Sequence, residues 1–183
     1  MKVFFDTEFT GLQKSTSLIS IGLVSENGKH FYAEFNDYNE FQVNDWIKEN
    51  VINHLYCKTN DKQNIFGSNY HYGDKYKIAN ELREWLKQFD YVELYSDVCH
   101  YDMVLLIDLF GSAQDLPENV CPACYDINQD IKEYFNLSTL QQAFDMSRED
   151  ILGNLNIHIN GEKHNAIYDA IVIAAIYNNI HSH

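Results

Sequence analysis

The stretch LISIGLVSENGKHFYAEF, residues 18–35, decides the fold. Ile19, Ile21 and Leu23 alternate with their neighbours, so Leu18 to Ser25 reads as a strand with those three side chains on one face. Asn27-Gly28 then supplies a two-residue hairpin turn, whose backbone needs the positive φ that Asn and Gly tolerate. Lys29 to Phe35 returns as the next strand, with Phe31, Ala33 and Phe35 alternating. Upstream, Lys2 to Asp6 is rich in strand formers. The chain therefore opens with a three-stranded antiparallel meander, and the first strand of such a meander is normally central and buried.

Downstream the period changes. Asn44 to Leu55 reads as a short helix, and 57–75 is polar and glycine-containing, the composition of a loop. Lys77 to Phe89 is amphipathic, with Ile78, Leu82, Trp85 and Phe89 on one stripe. Tyr91 to Tyr95 reads as a strand, and His100 to Phe110 as a helix with Gly111 just past its end. A short fifth strand is expected over Cys124 to Ile127, followed by helical patterns near 128–135, 139–145 and 148–154 and a last helix over 166–180. Hairpin strands followed by alternating helix and strand predict an α/β fold on a mixed five-stranded sheet, the meander plus two parallel strands.

The length of 183 residues suits one domain spanning 1–183. No apolar stretch reaches the roughly 18 residues of a membrane span. MKVFFDTEF puts acids directly after a very short apolar run, unlike a signal peptide, so the cytoplasm is the expected location. The formal charge of −14 argues against an extended duplex-binding surface. A short, flexible strand end could still bind if metal ions supply the positive charge. Cys121 and Cys124 form a C-x-x-C without a second close pair of Cys or His, which reads as two thiols in a loop rather than a structural zinc site.

The acids carry the chemistry. Asp6 and Glu8 form D-x-E at the end of the first strand, so both carboxylates project to one face. Asp102 shares a helical face with Leu105, Leu106 and Leu109, where an unpaired carboxylate is costly. Compensation of the helix dipole is the competing explanation for Asp102. Asp169 repeats the pattern against Ile173 and Ile176. His164 precedes Asp169 by five residues, about 140° apart on a continuous helix. It is therefore expected in the loop before that helix, where the imidazole could move over bound substrate. Acids aimed at one place repel each other unless a cation binds there. Four carboxylates can hold two Mg²⁺ or Mn²⁺ ions, a phosphoryl-transfer clamp, and His164 has the ordinary pKa of a base at neutral pH.

FFDTEFTGL (4–12), HYDMVLLIDLFG (100–111) and HNAIYDA (164–170) resemble the three motifs of the DEDDh family of 3′–5′ exonucleases, in the ribonuclease H-like superfamily. Residues 18–35 look like the small exoribonuclease branch, which also includes phage exonucleases. The resemblance implies a ribonuclease H-like sheet and hydrolysis of single-stranded RNA or DNA from the 3′ end, releasing nucleoside 5′-monophosphates. It implies two divalent ions on Asp6, Glu8, Asp102 and Asp169, with His164 as general base. It also implies terminal-nucleotide contacts at Phe9, Thr10 and Leu12, and a homodimer, since relatives often pair. Two departures stand out. Phe9 replaces the Thr common in proofreading relatives, and Asp97, Cys99 and His100 occupy the stretch where relatives carry an Asn. Tyr125-Asp126 falls where relatives often carry an Asp near a strand end. Alternatives are a 3′–5′ DNA exonuclease, a ribonuclease H-type endonuclease, against which His164 argues, and a non-catalytic nucleic-acid-binding module of the same fold.

Overall fold

The alternation read in residues 18–35 becomes the centre of a mixed sheet. A computed structural model describes residues 1–58 and 69–182. Among these, β1 (Lys2–Phe9), β2 (Leu18–Ser25) and β3 (His30–Phe35) form the expected antiparallel meander. After α1 (Asp45–Asn50) come β4 (Tyr70–Gly73), α2 (Lys75–Leu86), β5 (Val92–Ser96), α3 (Cys99–Phe110) and β6 (Val120–Asp126). Then follow α4 (Asn128–Tyr134), α5 (Leu140–Asp145), α6 (Arg148–Asn154) and α7 (Ala166–Ile180). The sheet order is β4-β3-β2-β1-β5-β6, with β5 parallel to β1 and β6 parallel to β5.

The sheet thus has six strands, not the five expected. The addition is β4, parallel to β3 inside the stretch read as a loop over 57–75. Four residues of Tyr-His-Tyr-Gly are too short and too polar to show a period. Tyr56–Lys58 is a 3₁₀ turn, and the rest of the expected loop, 59–68, lies outside the described residues. Both flanks of that segment are tied to one buried carboxylate. Glu34 is fully buried and accepts from the Tyr32 hydroxyl (2.8 Å), the Tyr56 and Cys57 amides (2.5 and 2.8 Å) and the Tyr70 hydroxyl (2.9 Å). Four donors offset the cost of burying that charge.

β6 is also longer than expected, so Cys121 and Cys124 lie on a strand and not in a loop.

Strand alternation sorts the core into two layers. Val3 and Phe5 of β1 pack against α2 and α3 with Phe31, Ile78, Leu82 and Leu106. Phe4 points to the other face, packing with Tyr95, Ile173 and Tyr177 under α7. By the same alternation Asp6 and Glu8 belong to the α7 face and Thr7 to the α3 face.

Gly22 sets how closely α7 approaches. It is the cross-strand neighbour of Asp6. A Cβ there would lie 2.4 Å from the backbone of Ala166 and Ile167 in the first turn of α7. That overlap is with backbone, which cannot swing aside. Gly22→Ala is expected to destabilise the protein by about 3 kcal/mol, lowering the melting temperature by roughly 6–12 °C. A melting temperature within a degree of wild type would show that α7 is free to shift. No helix among the described residues is long and apolar enough to cross a membrane.

Candidate active site at the carboxyl ends of the central strands

The acids meet at the end of β1, where β5 gives way to α3 and α7 begins. Asp6, Glu8 and Asp169 bring carboxylate oxygens within 4.8 Å of one another. β1 supplies two of them on one face, and the close passage of α7 over Gly22 supplies the third. Asn165 caps α7, its side chain accepting from the Tyr168 amide, which starts the helix immediately before Asp169.

Asp102 stands beside this trio rather than inside it. It is 4% exposed and lies on the α3 side of the sheet. The Thr7 amide (3.2 Å) and hydroxyl (2.5 Å) donate to Oδ1, and the Ser96 hydroxyl (2.6 Å) donates to Oδ2. Three donors fix the orientation of this carboxylate. Thr7, between the two acids of D-x-E, is thus a link across the sheet that alternation alone could have placed but did not identify.

Electrostatics follow from the crowding. Burial pushes Asp6 well above the usual carboxylate range, and Asp102, Asp169, Glu8 and Asp97 add to the rise. Glu8 is raised by burial, then by Asp169 and Asp102. Asp102 is pushed up to about 7 by burial, against the pull of the Ser96 and Thr7 hydrogen bonds. Asp169 rises to about 7, again by burial and then Asp97, while the backbone at His164 and Asn165 opposes. None of the four makes an ion pair with Lys, Arg or His among the described residues. Asp97 is the exception nearby. Arg148 Nε donates to it at 2.7 Å and Arg148 Nη2 donates to Asn128 at 2.8 Å, so this fifth acid has a cation partner that the other four lack. Neither Asp97 nor Arg148 was singled out as a pair in the sequence, because 51 residues separate them.

His164 sits in the loop between α6 and α7, as its spacing from Asp169 required. Its φ is +64°, a conformation few side chains adopt. The imidazole packs edge-on against Trp46 of α1, ring centres 5.0 Å apart, and makes no hydrogen bond to the protein among the described residues. Glu162 of the same loop pairs with His54, a second tie to the α1 region. Burial and then Lys163 hold His164 below the ordinary imidazole pKa, with Glu149 opposing.

A cleft of about 540 Å³ opens beside Glu8, lined by Phe9, Leu12, Gln42, Asn44 and Trp46 among others. Phe9 stacks on Tyr101 (5.5 Å, 18°), and the Tyr101 hydroxyl donates to the Leu12 carbonyl at 2.7 Å, leaving Leu12 itself 73% exposed. Thr10 borders the cleft, but its hydroxyl donates to Gln42 at 2.6 Å and its amide to Ser17 at 3.0 Å. Both bonds tie down the loop that follows β1. Trp46 was missed in the sequence, where it is one aromatic among many on an amphipathic segment.

The chain is similar to known proteins over most of its length. Residues 1–181 match the family described as the 3′-5′ exoribonuclease Rv2179c-like domain. The 3′-5′ exoribonuclease Rv2179c of Mycobacterium tuberculosis (strain H37Rv) is 30% identical over 122 residues, covering 66% of this chain and 67% of that one. Among solved structures, S. pombe Pop2p in its Mg²⁺- and Mn²⁺-bound form aligns with TM-score 0.62 at 20% identity, over 99% of this chain and 82% of that one. The nuclease domain of 3′hExo, a DEDDh family member bound to rAMP, aligns with TM-score 0.64 at 14% identity, over 96% and 88%.

Proposed function

Because this chain belongs to the Rv2179c-like family of 3′-5′ exoribonucleases, we propose that Asp6, Glu8, Asp102, Asp169 and His164 form its hydrolytic centre and that single-stranded RNA 3′ ends are its substrate. The observation that carries this is the trio of half-buried carboxylates within 4.8 Å of one another, with no ion pair to a protein cation among the described residues.

That donor set fits divalent ions. Hard oxygen ligands crowded at raised pKa are what Mg²⁺ and Mn²⁺ bind, and Pop2p carries both in its solved structure. Asp6, Glu8, Asp102 and Asp169 would hold two such ions. Bound there, such ions would lower the pKa of the attacking water and neutralise charge on the leaving 3′ oxygen. The remaining steps belong to the chain. His164, kept neutral near pH 7 by its surroundings, takes the proton of the water as it attacks phosphorus. The P–O3′ bond breaks, the 3′ oxygen takes up a proton, and a nucleoside 5′-monophosphate leaves. Thr7 and Ser96 hold Asp102 in one orientation throughout. Phe9, Leu12 and Trp46 offer apolar surface to the terminal nucleoside.

RNA is favoured over DNA by the exoribonuclease relatives, and a 2′-hydroxyl contact would enforce the choice. On matched 5′-labelled oligonucleotides with Mg²⁺, RNA is expected to shorten stepwise from its 3′ end at least ~10-fold faster than DNA, about one hydrogen bond's worth. Equal rates on both would remove the RNA assignment. Internal cuts in a 3′-blocked RNA would favour the endonuclease alternative.

A further inference from the structure

A second cluster of metal-type ligands lies at the base of α3, away from the carboxylate trio. Cys99 Sγ, a ring nitrogen of His100 and a carboxylate oxygen of Asp126 all fall within 4.8 Å of one another. Cys124 brings a second sulfur to the same cleft, where its thiol donates to the Tyr125 carbonyl at 3.8 Å. The four residues come from two elements, the first turn of α3 and the end of β6, and line one open cleft of about 570 Å³. Asp126 is already oriented, because Oδ1 accepts from the Asn128 amide (2.9 Å) and side chain (2.8 Å), while Oδ2 has no protein donor among the described residues.

The C-x-x-C motif is divided by the strand that carries it. The register slips between Val120 and Cys124, where two steps along β5 are met by four along β6. Cys124 shares the cleft with Cys99, whereas Cys121 is not among its lining residues. The sulfur pair that matters is Cys99 with Cys124, 25 positions apart, which sequence spacing alone would not match.

We propose that Cys99, His100, Cys124 and Asp126 form a transition-metal site of the Zn²⁺ class, separate from the carboxylate centre. Two sulfurs, one imidazole and one carboxylate are a borderline-soft, four-ligand set that suits Zn²⁺, whereas the all-oxygen set of Asp6, Glu8 and Asp169 suits Mg²⁺ and Mn²⁺. The two centres would thus select different ions from the same solution. The location has a structural consequence. The N-cap of α3 is Val98, which makes no side-chain cap, so a Cys99 thiolate in the first turn would complement the helix dipole. A bridge from β6 to that turn would also hold the helix that carries Asp102.

Co²⁺ is the probe, because a sulfur-to-cobalt charge-transfer band reports thiolate ligation and is blind to carboxylate sites. Under anaerobic, reducing conditions with excess Mg²⁺, one equivalent of Co²⁺ is expected to produce that band and one equivalent of Zn²⁺ to remove it. Cys99→Ser and Cys124→Ser should lose the band, and Cys121→Ser should keep it. His100→Ala, at an exposed position that folding tolerates, should weaken Co²⁺ binding at least ~10-fold. Absence of the band in wild type overturns the proposal. So does a band that depends on Cys121 but not Cys99, or a Co²⁺ affinity unchanged in His100→Ala. None of these readouts uses nuclease activity, so the site stands or falls apart from the exonuclease reading.

Discussion

Replacing Asp6 by Asn is expected to abolish nucleotide release while making the metal-free protein more stable. The substitution keeps the shape of the side chain and removes one ligand of the divalent ions, a loss of ~4 kcal/mol in transition-state stabilisation or about 10³-fold in rate. Stability moves the other way because Asp6 is buried among Asp102, Asp169, Glu8 and Asp97 and is held well above its usual range. The sign follows from linkage. Groups with raised folded pKa contribute stability fully present below their unfolded pKa, near 4, and lost as pH rises through the folded value. For Asp102 and Asp169 that folded value is about 7. The metal-free wild type should therefore lose stability from this cluster between about pH 4 and pH 7 and above. Asn at position 6 should lose less, melting roughly 2–8 °C higher at pH 8, the equivalent of about 1–2 kcal/mol. Mg²⁺ should raise the melting point of wild type more at pH 8 than at pH 5.5, because the ligands bind deprotonated. Thermal melts at both pH values, with and without Mg²⁺, read all of this. A destabilised Asp6→Asn protein at pH 8 would mean that the carboxylates are satisfied by groups other than a cation.

His164→Asn is expected to slow hydrolysis by about 10²–10⁴-fold with divalent-ion binding intact. Asn is the chosen replacement because it tolerates the positive φ of +64° at this position, so a loss reports the missing base and not backbone strain. The wild-type rate should fall as pH drops through the imidazole pKa, which burial and Lys163 place below the ordinary histidine value. The variant should lack that limb. If the same acid limb persists in His164→Asn, another group is the base. The imidazole rests on Trp46 and has no hydrogen-bond partner among the described residues.

Much of this was legible in the chain, and the reasons are local. The alternation in residues 18–35 fixes the meander and with it the central place of β1. The turn, however, spans three residues, Glu26 to Gly28, and only Gly28 takes positive φ, not the two-residue Asn27-Gly28 turn expected. Alternation also pairs Asp6 with Glu8, and helical spacing turns Asp102 and Asp169 inward. The five-residue gap to Asp169 placed His164 off the helix, where it is found. What escaped the sequence depends on contacts between distant segments. β4 has no period because it is four residues long and polar. Thr7 and Ser96 became legible as donors to Asp102 only when β1, β5 and α3 met. The same holds for Cys99 and Cys124, which the sequence assigned to separate neighbourhoods, and for Trp46, which reaches His164 only because α1 packs beside the loop before α7.

The central claim is that the carboxylates of β1, α3 and α7 hold the divalent ions that make hydrolysis possible. The most direct measurement is a count of Mn²⁺ bound per chain at pH 8 by equilibrium dialysis with a nucleoside 5′-monophosphate present, in wild type and in Asp169→Asn. Two ions per wild-type chain are predicted, with binding in Asp169→Asn weakened ~100-fold or more, as expected for loss of a direct ligand. Mn²⁺ binding undiminished in Asp169→Asn would contradict the claim.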